Sequence, residues 1–279
     1  MALQTITEVL RQGKDLGTVE SVYFEGGEPF LYYPVLVCGV KQAAQMGFEV
    51  GVVTNAYWAT SVEDASEWLR PFAGLVQDLS ISSDLYHGDD ESSLLPRNAR
   101  AAAVRLGIPT GVISIAQPEV PDTPETVGQL REGDNAVMYR GRAAEKMASR
   151  APQQSWDRFT ECPHEDLRDP GRVHIDPLGY VHICQGLSIG NLFQSPLREL
   201  CVRYDPDSHP IIGSLLNGGP AQLVRQHGLS HAQTYADACH LCYEARLALR
   251  NRCPEILSPD QMYGVILDQK SAHDSGGST

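Results

Sequence analysis

The sequence predicts an α/β fold with a parallel sheet in its first half, followed by a smaller cysteine-rich α+β region. Short apolar runs alternate with longer amphipathic stretches up to about residue 116, as strands joined by crossover helices require. From about residue 160 the composition changes to short β-like pieces, turns and cysteines. We therefore expect domains at 1–150 and 151–266, and a small, polar, disordered tail at 267–279.

Hydrophobic period and local capping signals place the elements of the first half. Ser61 precedes an acidic stretch, which marks a helix start, and Pro29 opens a segment at a position where a helix start tolerates proline. The predicted order is helix 2–13, strand 21–27, helix 31–46, strand 48–55, helix 61–71, strand 75–83, helix 91–106 and strand 108–116. A loop at 117–135 leads to a last strand at 136–146 that turns into a basic segment.

The second region contains a predicted hairpin at 172–184. Two alternating strands flank Asp176-Pro177-Leu178-Gly179, and these residue types favour a tight turn. A closing helix is predicted over 240–252.

Charge and composition exclude several classes of function. The formal net charge of −13 argues against nucleic-acid binding, and no apolar window reaches the roughly 18 to 20 residues of a membrane span. We expect neither kind of partner. The N-terminal residues lack the basic-then-apolar order of a secretory signal, and seven cysteines is an odd number. This usage favours reduced thiols or metal ligands in the cytoplasm over a disulfide framework.

Four cysteines have positions that suit one metal centre. Cys239 and Cys242 form a C-x-x-C pair, Cys184 closes the hairpin, and Cys162 lies in a turn beside a proline. Four thiolates suit either tetrahedral zinc or a [4Fe–4S] cluster, and spacing alone leaves both open. A redox-active C-x-x-C is a third interpretation, which the position of the pair near the end of the domain disfavours.

The remaining cysteines and the neighbouring histidines have ordinary explanations. Cys38 lies in an apolar run and is expected in the core, and Cys201 is expected to be structural. Cys253 is a further candidate ligand. For His164, His182 and His240 we expect surface or hydrogen-bonded positions, with a ligand or ligand-supporting role as the alternative.

Small or polar residues follow each strand of the predicted sheet. They include Gly26, Gly27 and Glu28 after one strand, Asn55 after the next, and Ser80 to Ser83 with Asp84 at the third. Parallel α/β folds bind ligands at the carboxyl ends of their strands, so we expect the binding face here.

The segment Glu25-Gly26-Gly27-Glu28-Pro29 resembles the GGEP motif of radical S-adenosylmethionine enzymes. VVTNAYW at 52–58 and LSISSDLYH at 79–87 resemble later strands of that fold, and the order of elements agrees over roughly 15–150. The resemblance implies a partial (β/α)6 barrel of the TIM type. It also implies that Gly26, Gly27 and Glu28 hold the methionine amine of S-adenosylmethionine, with Asn55, Ser80 and Ser82 near its ribose or carboxylate.

Residues 174–200 are similar to the auxiliary-cluster extensions of these enzymes, the SPASM or twitch domains. There a hairpin cysteine precedes a glycine–asparagine–hydrophobic segment and a short helix, and a C-x-x-C pair completes the set. Since only four good candidates are present, the resemblance implies the one-cluster version. The auxiliary [4Fe–4S] cluster would be held by Cys162, Cys184, Cys239 and Cys242, which favours iron–sulfur over zinc.

The family's defining C-x-x-x-C-x-x-C loop, which binds the catalytic cluster, does not occur in the 279 residues. The first strand of the barrel, expected before residues 2–13, is also missing. We expect an N-terminally incomplete sequence, with true loss of the segment as the alternative. A second, catalytic [4Fe–4S] cluster is expected only if that segment exists. These residues alone are not expected to cleave S-adenosylmethionine, and no catalytic residue is assigned.

The activity implied for the intact family is reductive cleavage of S-adenosylmethionine to a 5′-deoxyadenosyl radical, which abstracts a substrate hydrogen. Auxiliary clusters often serve enzymes that act on ribosomally made peptides, which suggests a peptide or protein substrate and an electron donor as partners. Asp84 and His87 would line the same face. Arg140 and Arg142 could bind a substrate carboxylate, with a solvated basic turn as the alternative. The competing function is a non-catalytic iron–sulfur or zinc-binding scaffold or binding protein.

Overall fold

The computed structural model describes residues 1–82, 94–115, 134–135 and 137–265. The chain divides into two compact units, 1–137 with 196–198, and 138–195 with the residues from 199 onward. The boundary predicted near residue 150 falls inside the second unit. The predicted tail, together with Asp84 and His87, lies outside the described residues.

The first unit is built on a parallel sheet whose strands are neighbours in chain order, β1-β2-β3-β4-β5. The strands are β1 Ser21–Phe24, β2 Glu49–Thr54, β3 Asp78–Ser82, β4 Thr110–Ile115 and the two-residue β5 Asp134–Asn135. The prediction of a parallel α/β fold is confirmed, and the four longer strands lie inside the predicted ranges.

Helices precede or connect these strands. They are α1 Leu3–Leu16, α2 Tyr33–Gln45, α3 Val62–Leu69 and α4 Leu94–Arg105, with 3-10 turns at Pro29–Tyr32 and Arg70–Phe72. The predicted cap of α3 is confirmed, because the Ser61 hydroxyl accepts a hydrogen bond from the Asp64 amide at 3.0 Å. Helix α1 ends at Gly17, which takes the left-handed conformation that glycine adopts most readily.

The two faces of the sheet differ in polarity. Alternate residues of β2 and β3, among them Val52 and Ile81, join the buried core with the helices. The other face carries Tyr23, whose ring lies over Gly51 so closely that a Cβ there would stand 2.2 Å from it. The Tyr23 hydroxyl donates to the Asp78 carboxylate at 3.1 Å.

Two expectations for this part of the chain are wrong. Cys38 is exposed, because Leu36 and Val40 form the core-facing side of α2 and Cys38 lies between them on the other side. The described residues 137–141 of the predicted strand 136–146 form no strand, and helix α5, Arg142–Met147, occupies the rest of that range. Its sequence RAAEKM consists of strong helix formers, and this local preference prevails.

The second unit combines short strands with helices around its own core. Its strands are β6 Gln154–Ser155, β7 His174–Ile175, β8 Tyr180–Cys184, β9 Leu187–Asn191 and β10 Thr234–Tyr235. Its helices are α5, α6 Leu197–Arg203 from Glu199 onward, α7 Ile212–Leu216, α8 Gly219–His227 and α9 Ala238–Leu249. It also contains 3-10 turns at Ala148–Arg150, Trp156–Arg158 and Asp260–Tyr263. None of the helices in the described ranges has the length and apolar character that crossing a bilayer requires.

The predicted hairpin is confirmed as β7 and β8, and β9 extends it into a three-stranded antiparallel sheet. The Gly179 amide donates to the Asp176 carbonyl at 3.0 Å and closes the turn. The Asp176 carboxylate accepts from the Leu178 and Tyr180 amides and pairs with the buried His182 ring at 3.2 Å. This network stabilises the turn and the first part of β8, the strand that ends at Cys184.

Candidate metal centre and cofactor face

Four cysteines that are far apart in the sequence line one cavity in the second unit. They are Cys162, Cys184, Cys239 and Cys242, all half-buried. The rest of the lining is apolar apart from two arginines, and consists of Arg140, Pro163, Leu167, Leu187, Leu215, Pro220, Ala238 and Arg246. The structure thus brings all four predicted ligands to one place.

Two of the four thiols lie on the first turns of α9. The Asp237 side chain caps this helix by accepting from the His240 amide at 2.7 Å. Its other oxygen accepts from the Tyr139 amide at 3.3 Å. Because residues three apart share a helix face, the cap directs Cys239 and Cys242 to the same side of α9.

A close backbone contact positions Cys162. Gly219, at the start of α8, has φ +64°, and a Cβ there would stand 2.3 Å from the backbone of Thr160 and Glu161. The Ala221 amide also donates to the Phe159 carbonyl at 3.0 Å. Helix α8 therefore holds the segment that leads into Cys162.

Both arginines of the cavity contact the thiol region. Arg140 donates from Nη1 to Sγ of Cys184 at 3.1 Å. Arg246 lies on α9, four residues after Cys242, and is only 2% exposed. Its Nη1 donates to the Gln185 carbonyl at 2.8 Å, next to Cys184. The substrate-carboxylate role predicted for Arg140 thus competes with its contact to a thiol. Arg142 is exposed at the start of α5.

Burial governs the acidity of the thiols in the absence of metal. It raises the pKa of Cys242 to about 11 and also raises the pKa values of Cys239 and Cys162. Arg246 acts in the opposite direction on Cys242 but does not outweigh burial. Without a metal, Cys162, Cys239 and Cys242 therefore keep their protons at neutral pH, and binding a metal there would release protons.

The spacing of the ligand atoms separates two kinds of metal site. Among the described residues, one group of three has its potential metal-binding atoms (histidine nitrogen, cysteine sulfur or carboxylate oxygen) all within 4.8 Å of one another. This group is His164, Asp237 and Cys239. The four cysteine sulfurs are thus not mutually within that distance. Around one tetrahedral zinc, with Zn–S bonds of about 2.3 Å, sulfurs stand about 3.8 Å apart. Thiolates of a [4Fe–4S] cluster bind different irons and are spread more widely.

The other cysteines and histidines have separate environments. Cys253 packs beside the second core and does not line the cavity, and Cys201 is exposed. His240 Nδ1 accepts from the Ala236 amide at 3.2 Å, and its Nε2 lies 3.3 Å from Glu244. His182 and His240 therefore occupy the hydrogen-bonded positions expected for them.

In the first unit, Glu28 forms a buried latch between two strand ends. Its Oε1 accepts from the Phe30 amide at 3.1 Å and from the Thr54 hydroxyl at 2.9 Å, and its Oε2 accepts from the Asn55 amide at 2.7 Å. Thr54 in turn accepts from the Trp58 indole at 3.0 Å. Both carboxylate oxygens thus accept hydrogen bonds from within the protein, and they stabilise the two strand ends in addition to the contact with a methionine amine predicted for Glu28.

The glycine pair beside this latch is open. Gly26 and Gly27 have φ of +84° and +49°, and a Cβ at either position would meet no atom within 4 Å. The positive φ angles, rather than crowding, favour glycine here, and the exposed backbone leaves room for a ligand.

The other predicted cofactor residues are arranged unevenly. Asn55 follows β2 directly, and its side-chain oxygen accepts from the Tyr57 amide at 3.0 Å. Ser82 ends β3, whereas Ser80 lies within the strand and donates to Asp78 at 3.0 Å. Asn55 and Ser82 therefore lie at strand ends, where a ligand is expected. Ser80 lies inside β3, and its hydroxyl is hydrogen-bonded to Asp78.

Sequence reasoning missed Arg246 and Thr54. Arg246 shares its helix face with Cys239 and Cys242, at spacings of seven and four residues, and this spacing is the signal that could have identified it. No known family model matches the sequence, and no curated protein matches it at a significant level.

Proposed function

We propose that this chain is a radical S-adenosylmethionine family protein that holds one auxiliary [4Fe–4S] cluster on Cys162, Cys184, Cys239 and Cys242. The observation that carries the proposal is the meeting of these four thiols in one cavity whose charged lining residues are Arg140 and Arg246. An apolar pocket with two guanidinium groups suits an anionic guest. Thiolates bound to a metal core supply that charge, and protonated thiols do not.

The spacing of the sulfurs supports iron–sulfur over zinc. Four thiolates that close on one zinc ion would be mutually near, and these sulfurs are not all within 4.8 Å. A cluster with four irons fits a larger space between its ligands. Seven cysteines without a disulfide among the described residues agree with a reducing compartment, for which we propose the cytoplasm.

The first unit supports the second half of the proposal, a partial (β/α)6 barrel that binds S-adenosylmethionine. Its parallel strands follow one another in chain order, as they do in a barrel of this type. The open backbone of Gly26 and Gly27 would receive the methionine end, with Asn55 and Ser82 at neighbouring strand ends. Cleavage of the cofactor is not assigned to these residues, because the sequence contains no C-x-x-x-C-x-x-C. A peptide or protein substrate and an external electron donor remain the proposed partners.

Metal content after anaerobic purification tests the metal centre. We expect about four irons and four sulfides per chain, and loss of both in Cys184→Ala and Cys242→Ala. The matched control is Cys38→Ala, since Cys38 is exposed in the other unit. A colourless protein with stoichiometric zinc, or equal iron loss in the control, would contradict the assignment.

Binding of S-adenosylmethionine tests the first unit separately. Calorimetric titration of the whole chain should show saturable binding that Asn55→Ala weakens and Asn217→Ala, an exposed change in the other unit, leaves intact. No binding, together with normal iron content, would remove the cofactor part of the proposal and leave a non-catalytic iron–sulfur protein.

A single zinc ion is the second candidate, favoured by the compact set of His164, Asp237 and Cys239. It predicts one zinc per chain, lost in His164→Ala and retained in Cys162→Ala. Under the iron–sulfur proposal the two variants behave the other way round, so this pair distinguishes the candidates.

A further inference from the structure

Arg246 is a buried cation whose surroundings contain sulfur rather than carboxylate. Its side chain is 2% exposed, and its guanidinium carbon lies 5.9 Å from the centre of the Tyr263 ring. Nη1 donates to the Gln185 carbonyl, while Nε has no hydrogen-bond partner. Within the described ranges Arg246 forms no ion pair with a carboxylate. Buried arginines normally have an anionic partner, so this one requires another source of negative charge.

The groups around Arg246 indicate that source. Besides Tyr263, the acidic groups that act on it are the thiols of Cys242, Cys184 and Cys239. Burial raises the pKa of Tyr263 to about 12, so this phenol is neutral at physiological pH. The counter-charge must therefore come from the sulfurs.

Arg140 approaches the same sulfurs from another element. It lies ahead of α5 and donates to Cys184 Sγ at 3.1 Å. Arg140 is half-buried, whereas Arg246 is shielded from water. Electrostatic effects are larger where water is excluded, so of the two Arg246 should act more strongly.

The charges of the site balance in one oxidation state. Four thiolates around the core of an oxidised [4Fe–4S] cluster have a net charge of about −2, which two guanidinium groups neutralise. When an external one-electron donor reduces the cluster, one negative charge is added and no bond is broken. Fixed positive charge and hydrogen bonds to sulfur both favour the form with more negative charge.

We propose that Arg246 and Arg140 set the reduction potential of the auxiliary cluster by stabilising its reduced form. This inference rests on the proposed function, since it requires an iron–sulfur cluster on the four cysteines. The arrangement raises the reduction potential of the cluster and so favours its reduction by an external one-electron donor, beyond any role in holding the fold together.

The test is the midpoint potential of the reconstituted whole chain, followed by electron paramagnetic resonance during titration with dithionite and mediators. Arg246→Gln should disfavour reduction at least tenfold, which corresponds to a potential lowered by about 59 mV for one electron. Arg140→Gln should lower it by a smaller amount, and lysine at either position should restore most of the loss. The matched control is Arg142→Gln, an exposed change two residues from Arg140.

Iron and sulfide content, measured on the same samples, keeps the two proposals distinguishable. A wild-type chain without iron would overturn the proposed function itself. Fully loaded Arg246→Gln and Arg140→Gln proteins with the wild-type potential would overturn only this inference, as would an equal shift in Arg142→Gln. If Arg246→Gln fails to hold the cluster, the potentials of Arg140→Gln and Arg140→Lys test the inference instead. Arg140 is half-buried, so its replacement leaves less cluster charge shielded from water without a partner.

Discussion

Replacing Thr54 by valine tests the latch that joins the ends of β1 and β2. The hydroxyl of Thr54 donates to Glu28 at 2.9 Å and accepts from the Ala56 amide and the Trp58 indole, both at 3.0 Å. Thr54 is 2% exposed, so water cannot replace these bonds. Valine keeps the shape of threonine, and the perturbation is therefore the loss of one polar atom.

The magnitude follows from the groups left without partners. The N–H groups of Ala56 and the Trp58 indole would lose their acceptor, and each buried donor left without a partner costs about 1 to 3 kcal/mol. Glu28 keeps its bonds to the Phe30 and Asn55 amides and loses less. The extra methyl group returns about 0.8 kcal/mol. These terms sum to about 1 to 5 kcal/mol, and we take the middle of that range, so Thr54→Val should lower the free energy of unfolding of the first unit by about 2 to 4 kcal/mol.

Urea unfolding measures this change, with Thr54→Ser as the matched control. Fluorescence of Trp58 and Trp68 in a Trp156→Phe background reports on the first unit, since Trp156 belongs to the second. With a slope of about 2 kcal/mol per molar, the midpoint should fall by about 1 to 2 M for valine. Serine keeps the hydroxyl and should cost only about 1 kcal/mol. Equal stability of the valine and serine variants would mean that the hydrogen-bond network does not stabilise the latch.

Three further predictions concern the second unit. Removing the metal with a chelator should lower its melting temperature, seen by Trp156 fluorescence, while the first unit melts unchanged, because metal-binding free energy is folding free energy. In the metal-free protein, burial raises the pKa of Cys242 from 9.0 to about 11, so the folded state binds more protons than the unfolded state between these pH values. The protonated Cys242 thiol should therefore contribute on the order of 2 to 3 kcal/mol to the free energy of unfolding below pH 9, and this contribution should be lost as the pH rises to about 11. Thermal melts across this pH range measure the loss, and a melting temperature that does not decline would show that the thiol is not buried. Gly219→Ala should lower the free energy of unfolding by more than about 3 kcal/mol, because the new Cβ would stand 2.3 Å from backbone atoms. The control is Gly228→Ala at the other end of α8, which has φ +59° and open space and should cost about 1 kcal/mol. Equal urea midpoints for the two variants would contradict the close contact at Gly219.

Local signals in the sequence were enough for most of the first unit. The alternation of apolar strands and amphipathic helices predicted the parallel sheet, and Ser61 predicted the start of α3. Such signals depend on neighbours within one helical turn, so they survive without knowledge of the fold. The same signals mislead at 136–146, where a short apolar run predicts strand although the adjoining RAAEKM forms helix α5. Residues 212–227, which form α7 and α8, were not predicted at all.

The contrast between Cys38 and the four cavity cysteines shows the limit of residue type as a guide. An apolar neighbourhood suggested burial for Cys38, but the helical period places it on the outer side of α2. The cavity cysteines are predicted as metal ligands from their thiol chemistry and from their positions in a turn, at a hairpin end or in a C-x-x-C pair. These signals do not depend on burial. Their meeting in one cavity is a tertiary fact, since α9 and the segments around Cys162 and Cys184 are separated by tens of residues.

Local pattern and chemical type were enough to predict the α/β class of the first unit, the hairpin that ends in Cys184, and the four thiols as a candidate metal set. The burial of Arg246 beside the sulfurs, the contact of Arg140 with Cys184, and the hydrogen bonds of Glu28 with Thr54 and Asn55 depend on the three-dimensional fold. A charged residue on a helix is normally solvated, and whether it faces water or a cavity depends on segments distant in the chain. The charge balance of the candidate metal centre is for that reason a property of the fold.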